Sequence, residues 1–342
     1  MAAERIELDI DGRTVDVSNP DKVFFTKRGE TKLDLIDYYL AVGAAMMPVV
    51  GGRPALLQRF PDGASGKNFF QKRVPKGAPE WLQTTTVATP NGTTSEAIVL
   101  ADLAHVVWAA QMGSLCFHVW PYPAAHPEIA DELRIDLDPH GAITFDDVRW
   151  AALRVRDFLD ELGIRSWVKT TGSKGLHVYV RLVPEWDSYQ VRACAVALAR
   201  ELERRYEDRL TAAWWKEERG DRVFIDFNQN APHKTVFGAW SVRPRVGAQV
   251  SMPIRWDQVD DVDPQAITIA TAPGLLDEHG DAWHDYSTSG ERLDALLALH
   301  DRDMAAGMKD APWPPVYPKQ PNEPPRVAPS RARKVDPDES ST

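Results

Sequence analysis

Cysteine is scarce in this chain, with two residues in 342, Cys116 and Cys194, both among apolar neighbours. That excludes a disulfide scaffold and a cysteine-rich zinc site, and it suits a reducing compartment. No window approaches the ~18 uninterrupted apolar residues of a spanning helix. The opening MAAERIELDIDGRTV has no apolar core of a signal peptide. Net positive charge is also lacking. At −10, the chain cannot coat nucleic acid by charge alone, although a local basic groove stays open. The G-x-x-x-x-G-K-[ST] spacing of a Walker loop is absent, as is any internal repeat. The expectation is a cytoplasmic protein with no membrane partner.

The length allows one large core or two moderate ones. RIELDIDGRTVDV reads as a hairpin around Asp11-Gly12. KLDLIDYYLAVGAAMMPVV and YQVRACAVALARELERRYEDRL read as helices, and PALLQRF, SLCFHVWPY and DRVFIDFNQN as strands. Periods of 2 and 3.6 mix without a regular βαβ repeat. This predicts an α+β fold, with mostly antiparallel or mixed sheet and flanking helices. Residues 1–303 form the expected catalytic body. From Met304 onward the chain is rich in Pro and charge with little to pack, so 304–342 is expected to be an extended or disordered tail.

In ELRIDLDPHG, Asp136 and Asp138 alternate with Ile135 and Leu137. Residues i and i+2 of a strand share a face, ~6.5–7 Å apart. Two carboxylates there can converge on a divalent cation such as Mg²⁺ or Mn²⁺. A solvated strand face is the plainer alternative. RVFIDFNQN supplies a third acid, Asp226, between Ile225 and Phe227 and on the face of Phe224 and Asn228. Three acids on two apolar strands would hold two ions ~3.5–4 Å apart, the arrangement of phosphoryl and nucleotidyl transfer.

Between the acidic strands lies TTGSKGLHVYV. Gly172 and Gly175 permit tight turns whose N–H groups can face phosphate. Ser173, Lys174 and His177 add a hydroxyl, a charge and an imidazole. AWSVRPRV places Arg243 and Arg245 in alternation, and arginine forks match phosphate. A plain hairpin turn and surface ion pairing are the alternatives.

From Arg53 to Lys76, six basic residues (Arg53, Arg59, Lys67, Lys72, Arg73, Lys76) stand against one acid, Asp62, with Phe60, Phe69 and Phe70 among them. Charges flanked by rings suit a nucleic-acid strand, although Phe residues filling a core fit equally well. Asn19, Lys22, Lys27, Arg28 and Lys32 surround a helix start that could receive a terminal phosphate.

The ordered set SNPDKVFF, TKLDLIDYY, RFPDG, GKNFFQKRVP, IDLDP, TTGSKGLHVYV, IDFNQN, SVRPR and VSMPIRWDQV resembles the polymerase domain of bacterial ligase D, of the archaeo-eukaryotic primase superfamily. The resemblance spans about residues 5 to 300. It implies an RRM-like antiparallel catalytic sheet packed against a smaller α/β module. Asp136, Asp138 and Asp226 match the family's metal-binding acids. Ser173, Lys174 and His177 match its nucleotide loop, Arg243 its triphosphate arginine, and His118 its active-site histidine. Phe69 and Phe70 match a stacking pair, and Asn19, Lys22 and Lys32 a pocket for a downstream 5′-phosphate. Relatives often carry two basic residues where this chain has Gln58-Arg59; if the missing charge touches triphosphate, either nucleotide affinity is lower or Arg53 substitutes.

The implied activity is template-directed nucleotidyl transfer with two Mn²⁺ or Mg²⁺ ions. It would fill short gaps in end-joining or excision repair, with ribonucleotides preferred. The implied partners are gapped or end-resected DNA, rNTP or dNTP, a separate ATP-dependent ligase and an end-binding protein. No ligase or nuclease module fits in this length, so a stand-alone, nucleoid-associated monomer is expected. Two other readings stay open. A phosphatase with Asp136 as nucleophile expects its D-x-D early in a doubly wound fold, and a non-catalytic DNA-end binder has no need of a third acid.

Overall fold

The computed structural model describes residues 5–71, 74–139 and 141–331, with Asp138 and Pro329 described through their backbone only. Chain order runs β1 (Arg5–Ile10), β2 (Arg13–Ser18), β3 (Val23–Phe25), β4 (Glu30–Thr31), α1 (Lys32–Val50), β5 (Pro54–Arg59), β6 (Phe69–Gln71), β7 (Thr84–Ala88), β8 (Thr94–Val99), α2 (Leu103–Gln111) and β9 (Ser114–Val119). There follow β10 (Glu132–Asp138), α3 (Phe145–Glu161), β11 (Trp167–Thr170), β12 (Leu176–Arg181), α4 (Ser188–Arg205), β13 (Leu210–Thr211), α5 (Lys216–Arg219), β14 (Val223–Asp226), β15 (Val236–Phe237), β16 (Pro253–Ile254), α6 (Ala272–His279) and α7 (Asp294–Ala305). The β1–β2 turn uses Asp11 and Gly12, both at positive φ, as a two-residue hairpin requires.

Two mostly antiparallel sheets carry the α+β fold. One has the order β15-β9-β5-β8-β7 with β6 also on β5, and the other is β13-β14-β10-β12-β11-β16. In the second sheet the alternation of β10 sends Leu133, Ile135 and Leu137 into one core with Val178, Val180 and Ile225. The apolar stripes of α3 (Val148, Ala152, Val155) and α4 (Val191, Ala195, Leu198) close that core. Capping boxes fix where both helices start, Thr144 with Asp147 and Asp187 with Gln190. The opposite face carries Trp167 and Tyr179 into a second core, shared with α1, α2 and the first sheet. That face is the cleft between the sheets. By length and composition α1 would suffice to cross a membrane, yet most of it is buried in this core.

Buried ion pairs join the layers. Arg53 forks onto Asp131 at 2.7 and 3.1 Å and reaches Glu132 at 3.0 Å. Arg134 binds Glu132 and the carbonyls of Val119 and Trp120.

The segment 307–331 has one short 3-10 turn, further turns at 315–317 and 321–322, and no α-helix or strand. It nevertheless packs, because Trp313 and Tyr317 supply apolar area that its Pro content obscures. Both are buried, against Ala231.

Candidate active site

Strand register assembles the site. On β10, Asp136 lies opposite His177 of β12 on one side and Asp226 of β14 on the other, and His177 in turn faces Lys169 of β11. Cross-strand partners share a face, so Asp226, Asp136, His177 and Lys169 form one transverse row in the cleft. Asp138 continues the face at i+2 and pairs with Phe224 through its backbone; its carboxylate is not described.

The row is short of compensation. Gln229 Nε2 donates to Asp226 Oδ2 at 2.9 Å and to Asp136 Oδ2 at 3.2 Å, one amide bridging two acids. Asp226 Oδ1 accepts from the Asn228 N–H at 2.9 Å. Among the described residues, Asp136 Oδ1 accepts no hydrogen bond, although His177 Nε2 stands 3.1 Å away. Burial pushes the Asp136 carboxyl up to about 6, against the pull of Arg243 and Lys169. Burial, then repulsion from Asp136, pushes Asp226 up to about 6 as well. Adjacent acids that are hard to ionise and leave an oxygen orphaned are what a divalent cation would complete. Hard carboxylate oxygens fit Mg²⁺ or Mn²⁺. Among the described residues no ready group of three His, Cys, Asp or Glu side chains closes on one point, so the fit rests on Asp136 and Asp226, with Asp138 beside them in register.

Asp226 ends its strand instead of continuing it. A 3-10 turn, Phe227–Asn230, follows at once, so Asn228 leaves the expected strand face and its N–H is capped by Asp226. Asn230 ties this turn to β10, accepting from the Arg134 N–H at 2.8 Å and donating to the Arg134 carbonyl at 2.7 Å.

The loop after Lys169 brings the phosphate candidates to the same cleft. Thr171 N–H donates to the Gly175 carbonyl, and the Gly175 N–H to Thr171 Oγ1. Gly172 sits at φ +66°, and a Cβ there would meet Arg243 Cγ at 2.8 Å and the Val250 backbone at 3.1 Å. Only glycine lets the loop lie this close to Arg243. Ser173 is half-buried and Lys174 exposed. Arg243 donates to the Thr171 carbonyl and stacks over Phe237 at 4.1 Å. The Arg243-Arg245 pair is not strand-borne as expected. Pro244, which has no N–H, sits in a turn closed by Arg245 N–H on the Arg243 carbonyl, and Arg245 is left exposed.

The first sheet faces the row with His118 and the aromatic pair. His118 on β9 lies edge-on to Phe237 at 5.2 Å and to Phe70 at 6.2 Å. Burial, then Arg243, holds its imidazole down to about 4, and its Nε2 is buried without a partner among the described residues. Phe69 and Phe70 are each 47% exposed, with Arg59 over Phe69 at 5.4 Å. Rings this open on a surface are available for stacking. Lys67 and Lys76 are exposed, while Lys72 and Arg73 lie outside the described residues.

At the N-terminal corner, the Lys22 N–H reaches the Asn19 carbonyl, and the Lys32 N–H the Lys22 carbonyl. Asn19 adopts φ +51°. Lys32 Nζ donates to the Ser18 carbonyl, and burial, then Lys22, lowers its ammonium to about 8. The three residues are thus gathered in one place.

Arg53 is a correction. It is 3% exposed and its guanidinium is consumed by Asp131, Glu132 and the Val49 carbonyl, so the structure does not bring it to the cleft as a nucleotide ligand. Lys169 was missed. It is fully buried, donates to Ser251 Oγ at 2.5 Å, and burial, then Arg243, holds it well below its ordinary value. Its sequence signal was a lone charge among Val168, Thr170 and Thr171, the same signal that marked Asp136.

A model of the LigD primase-polymerase domain matches residues 31–283. The chain belongs to this family. It is 32% identical over 311 residues to a Mycolicibacterium smegmatis protein named multifunctional non-homologous end joining protein LigD, covering 90% of this chain and 40% of that one. The Mycobacterium tuberculosis counterpart is 33% identical over 296 residues, covering 84% of this chain. The chain thus spans about 40% of the length of these curated relatives. The polymerase domain of Mycobacterium tuberculosis ligase D, solved in complex with DNA, superposes with a TM-score of 0.74 at 30% identity, covering 81% of this chain and 99% of that one. The LigD primase-polymerase family is one of DNA-directed nucleotidyltransferases, and its relatives are end-joining repair proteins.

Proposed function

We propose that this chain extends primer 3′-ends and fills short gaps in DNA during end-joining or excision repair, taking nucleotides in the cleft between its two sheets. The observation that carries the reading is the Asp226–Asp136–His177 row: two registered, underpaired carboxylates facing Arg243 and the glycine-bounded loop. Asp136, Asp138 and Asp226 would hold the divalent ions, which when bound lower the pKa of the attacking hydroxyl and neutralise charge on the phosphates.

The remaining roles belong to the chain's own groups. Arg243, Ser173, Lys174 and His177 would bind the triphosphate, with Arg243 anchored by Thr171 and Phe237 so that little freedom is lost on binding. His118, held neutral, would donate a hydrogen bond from Nε2 without adding charge. Phe69 and Phe70 would stack on bases, and Asn19, Lys22 and Lys32 would bind the 5′-phosphate beyond the gap. We also propose cytoplasmic action on chromosomal DNA, with the filled gap sealed by an ATP-dependent ligase activity.

The test is primer extension on gapped DNA with and without a 5′-phosphate, offering rNTP or dNTP with Mn²⁺ or Mg²⁺. Asp136→Ala should abolish addition and leave gapped-DNA binding intact. Extension retained by that variant would sink the assignment. Faster incorporation of dNTP than rNTP would remove the ribonucleotide preference alone.

A further inference from the structure

Segment 307–331 lies wholly beyond the family match, which ends at residue 283, yet its contacts converge on the turn that carries Asp226. Arg192 of α4 is 1% exposed and is the hub. Its Nε donates to Asn228 Oδ1 at 2.8 Å, Nη1 to Asp310 at 3.1 Å, and Nη2 to the carbonyls of Ala311 and Pro312 at 2.9 and 3.2 Å. Its guanidinium lies 3.9 Å from the Trp313 ring centroid. Asn228 completes the circuit by donating to the Pro312 carbonyl at 3.0 Å, while its own N–H holds Asp226 Oδ1. Farther along, Trp313 and Tyr317 pack on Ala231, and the Tyr317 hydroxyl donates to the Pro232 carbonyl at 2.8 Å.

The segment is itself locked. Trp313 Nε1 donates to Asp310 Oδ2 at 2.7 Å and the Trp313 N–H to Glu323 at 2.9 Å. Arg326 ties Glu323 to the carbonyls of Pro314, Tyr317 and Pro318. Such a path from a strap to one carboxylate exceeds what covering a core requires. A 3-10 turn has weak hydrogen bonds of its own, so the grip on Asn228 adds to the Asn230 tie to β10 in fixing the orientation of Asp226.

We propose that 307–331 is a positioning brace for Asp226, acting through Arg192 and Asn228. This rests on the reading of Asp226 as a site acid. The Asn228 amide, itself the donor to Asp226, reports the brace directly in metal-free protein.

In the full chain, Trp313→Ala should speed hydrogen exchange at Asn228 by about tenfold or more, as local opening becomes easier. Mn²⁺ affinity measured by direct titration should fall with it. Trp313→Ala should also lower kcat by about tenfold or more with KM for gapped DNA unchanged, and Trp313→Phe should restore all three. Asn228 protection, Mn²⁺ affinity and kcat all at wild-type values in Trp313→Ala, with only a lower Tm, would overturn the proposal. If Trp313→Ala fails to fold, Asp310→Asn decides by the same readouts, since it removes the Arg192 charge partner and keeps the shape. A catalytically competent Asp226→Asn would remove the site reading, whereas the brace is judged on Asn228 protection.

Discussion

Asp136→Asn should make the protein more stable and inactive. Burial raises the Asp136 carboxyl from 3.8 to about 6, against the pull of Arg243 and Lys169. At ~1.36 kcal/mol per pKa unit, holding the charge in the folded state costs about 3 kcal/mol. Asparagine is uncharged, and its oxygen can still accept from Gln229, which now reaches Asp136 Oδ2 at 3.2 Å. The substitution also relieves Asp226, which Asp136 repels, but that repulsion belongs to the pair and counts once. The net gain is about 1–3 kcal/mol, or roughly 2–6 °C in Tm for a chain of this size. The pH dependence gives the sign. Below the unfolded value the carboxyl is protonated in both states and costs nothing, whereas above about 6 it is ionised in both and the full cost is present. Thermal melts in chelator should therefore show the variant ahead at pH 7.5 and the two proteins converging toward pH 4. Added Mn²⁺ should stabilise wild type and leave the variant unmoved. A variant less stable than wild type in chelator at pH 7.5, or a gap that persists at pH 4, would refute the electrostatic argument.

Arg53→Met should cost about 3 kcal/mol, the lower end for breaking a buried ion pair, because Asp131 keeps Arg181 and Glu132 keeps Arg134. Denaturant melts should show this loss with nucleotide KM unchanged, and a raised KM at full stability would return Arg53 to the nucleotide site. The 5′-phosphate preference should weaken as pH rises past about 8, where Lys32 loses its proton. Titrating phosphorylated and unphosphorylated gapped DNA against pH checks this, and a preference that is flat to pH 9.5 would exclude Lys32 as the pH-sensitive group.

Much of the site was legible because its chemistry is local. Asp136 stands out between Ile135 and Leu137, as does Asp226 after Ile225, since a charge in an apolar strand needs a reason. Gly172 and Gly175 announce a tight loop. What could not be read was pairing between strands. Nothing along the chain says that Lys169 faces His177, or that Arg53 meets Asp131 and Glu132 across the layers. Arg53 and Arg243 look alike as isolated arginines. Burial among acids makes one structural, whereas the other is half-buried, holds the Thr171 carbonyl and stacks over Phe237. The strap failed for another reason: its Pro content describes the backbone, while its packing depends on Trp313 and Tyr317 finding Ala231.

Strand β10 shows how one element can carry both kinds of charge. At its start, Asp131, Glu132 and Arg134 are buried and saturated: three arginines, Arg53, Arg134 and Arg181, and the Tyr286 hydroxyl meet the two acids. Glu132 is held far below the ordinary range because those cations outweigh its burial. A few residues on, Asp136 is largely enclosed, yet among the described residues its near contacts are one shared amide and a histidine, and burial pushes its carboxyl up. A fold that needed only stability would pair both ends or leave the second apolar, since buried charges rarely repay their desolvation. The incomplete pairing of Asp136 and Asp226, a few residues from charges that are fully paired at the start of β10, is the contrast on which the proposed cation site rests.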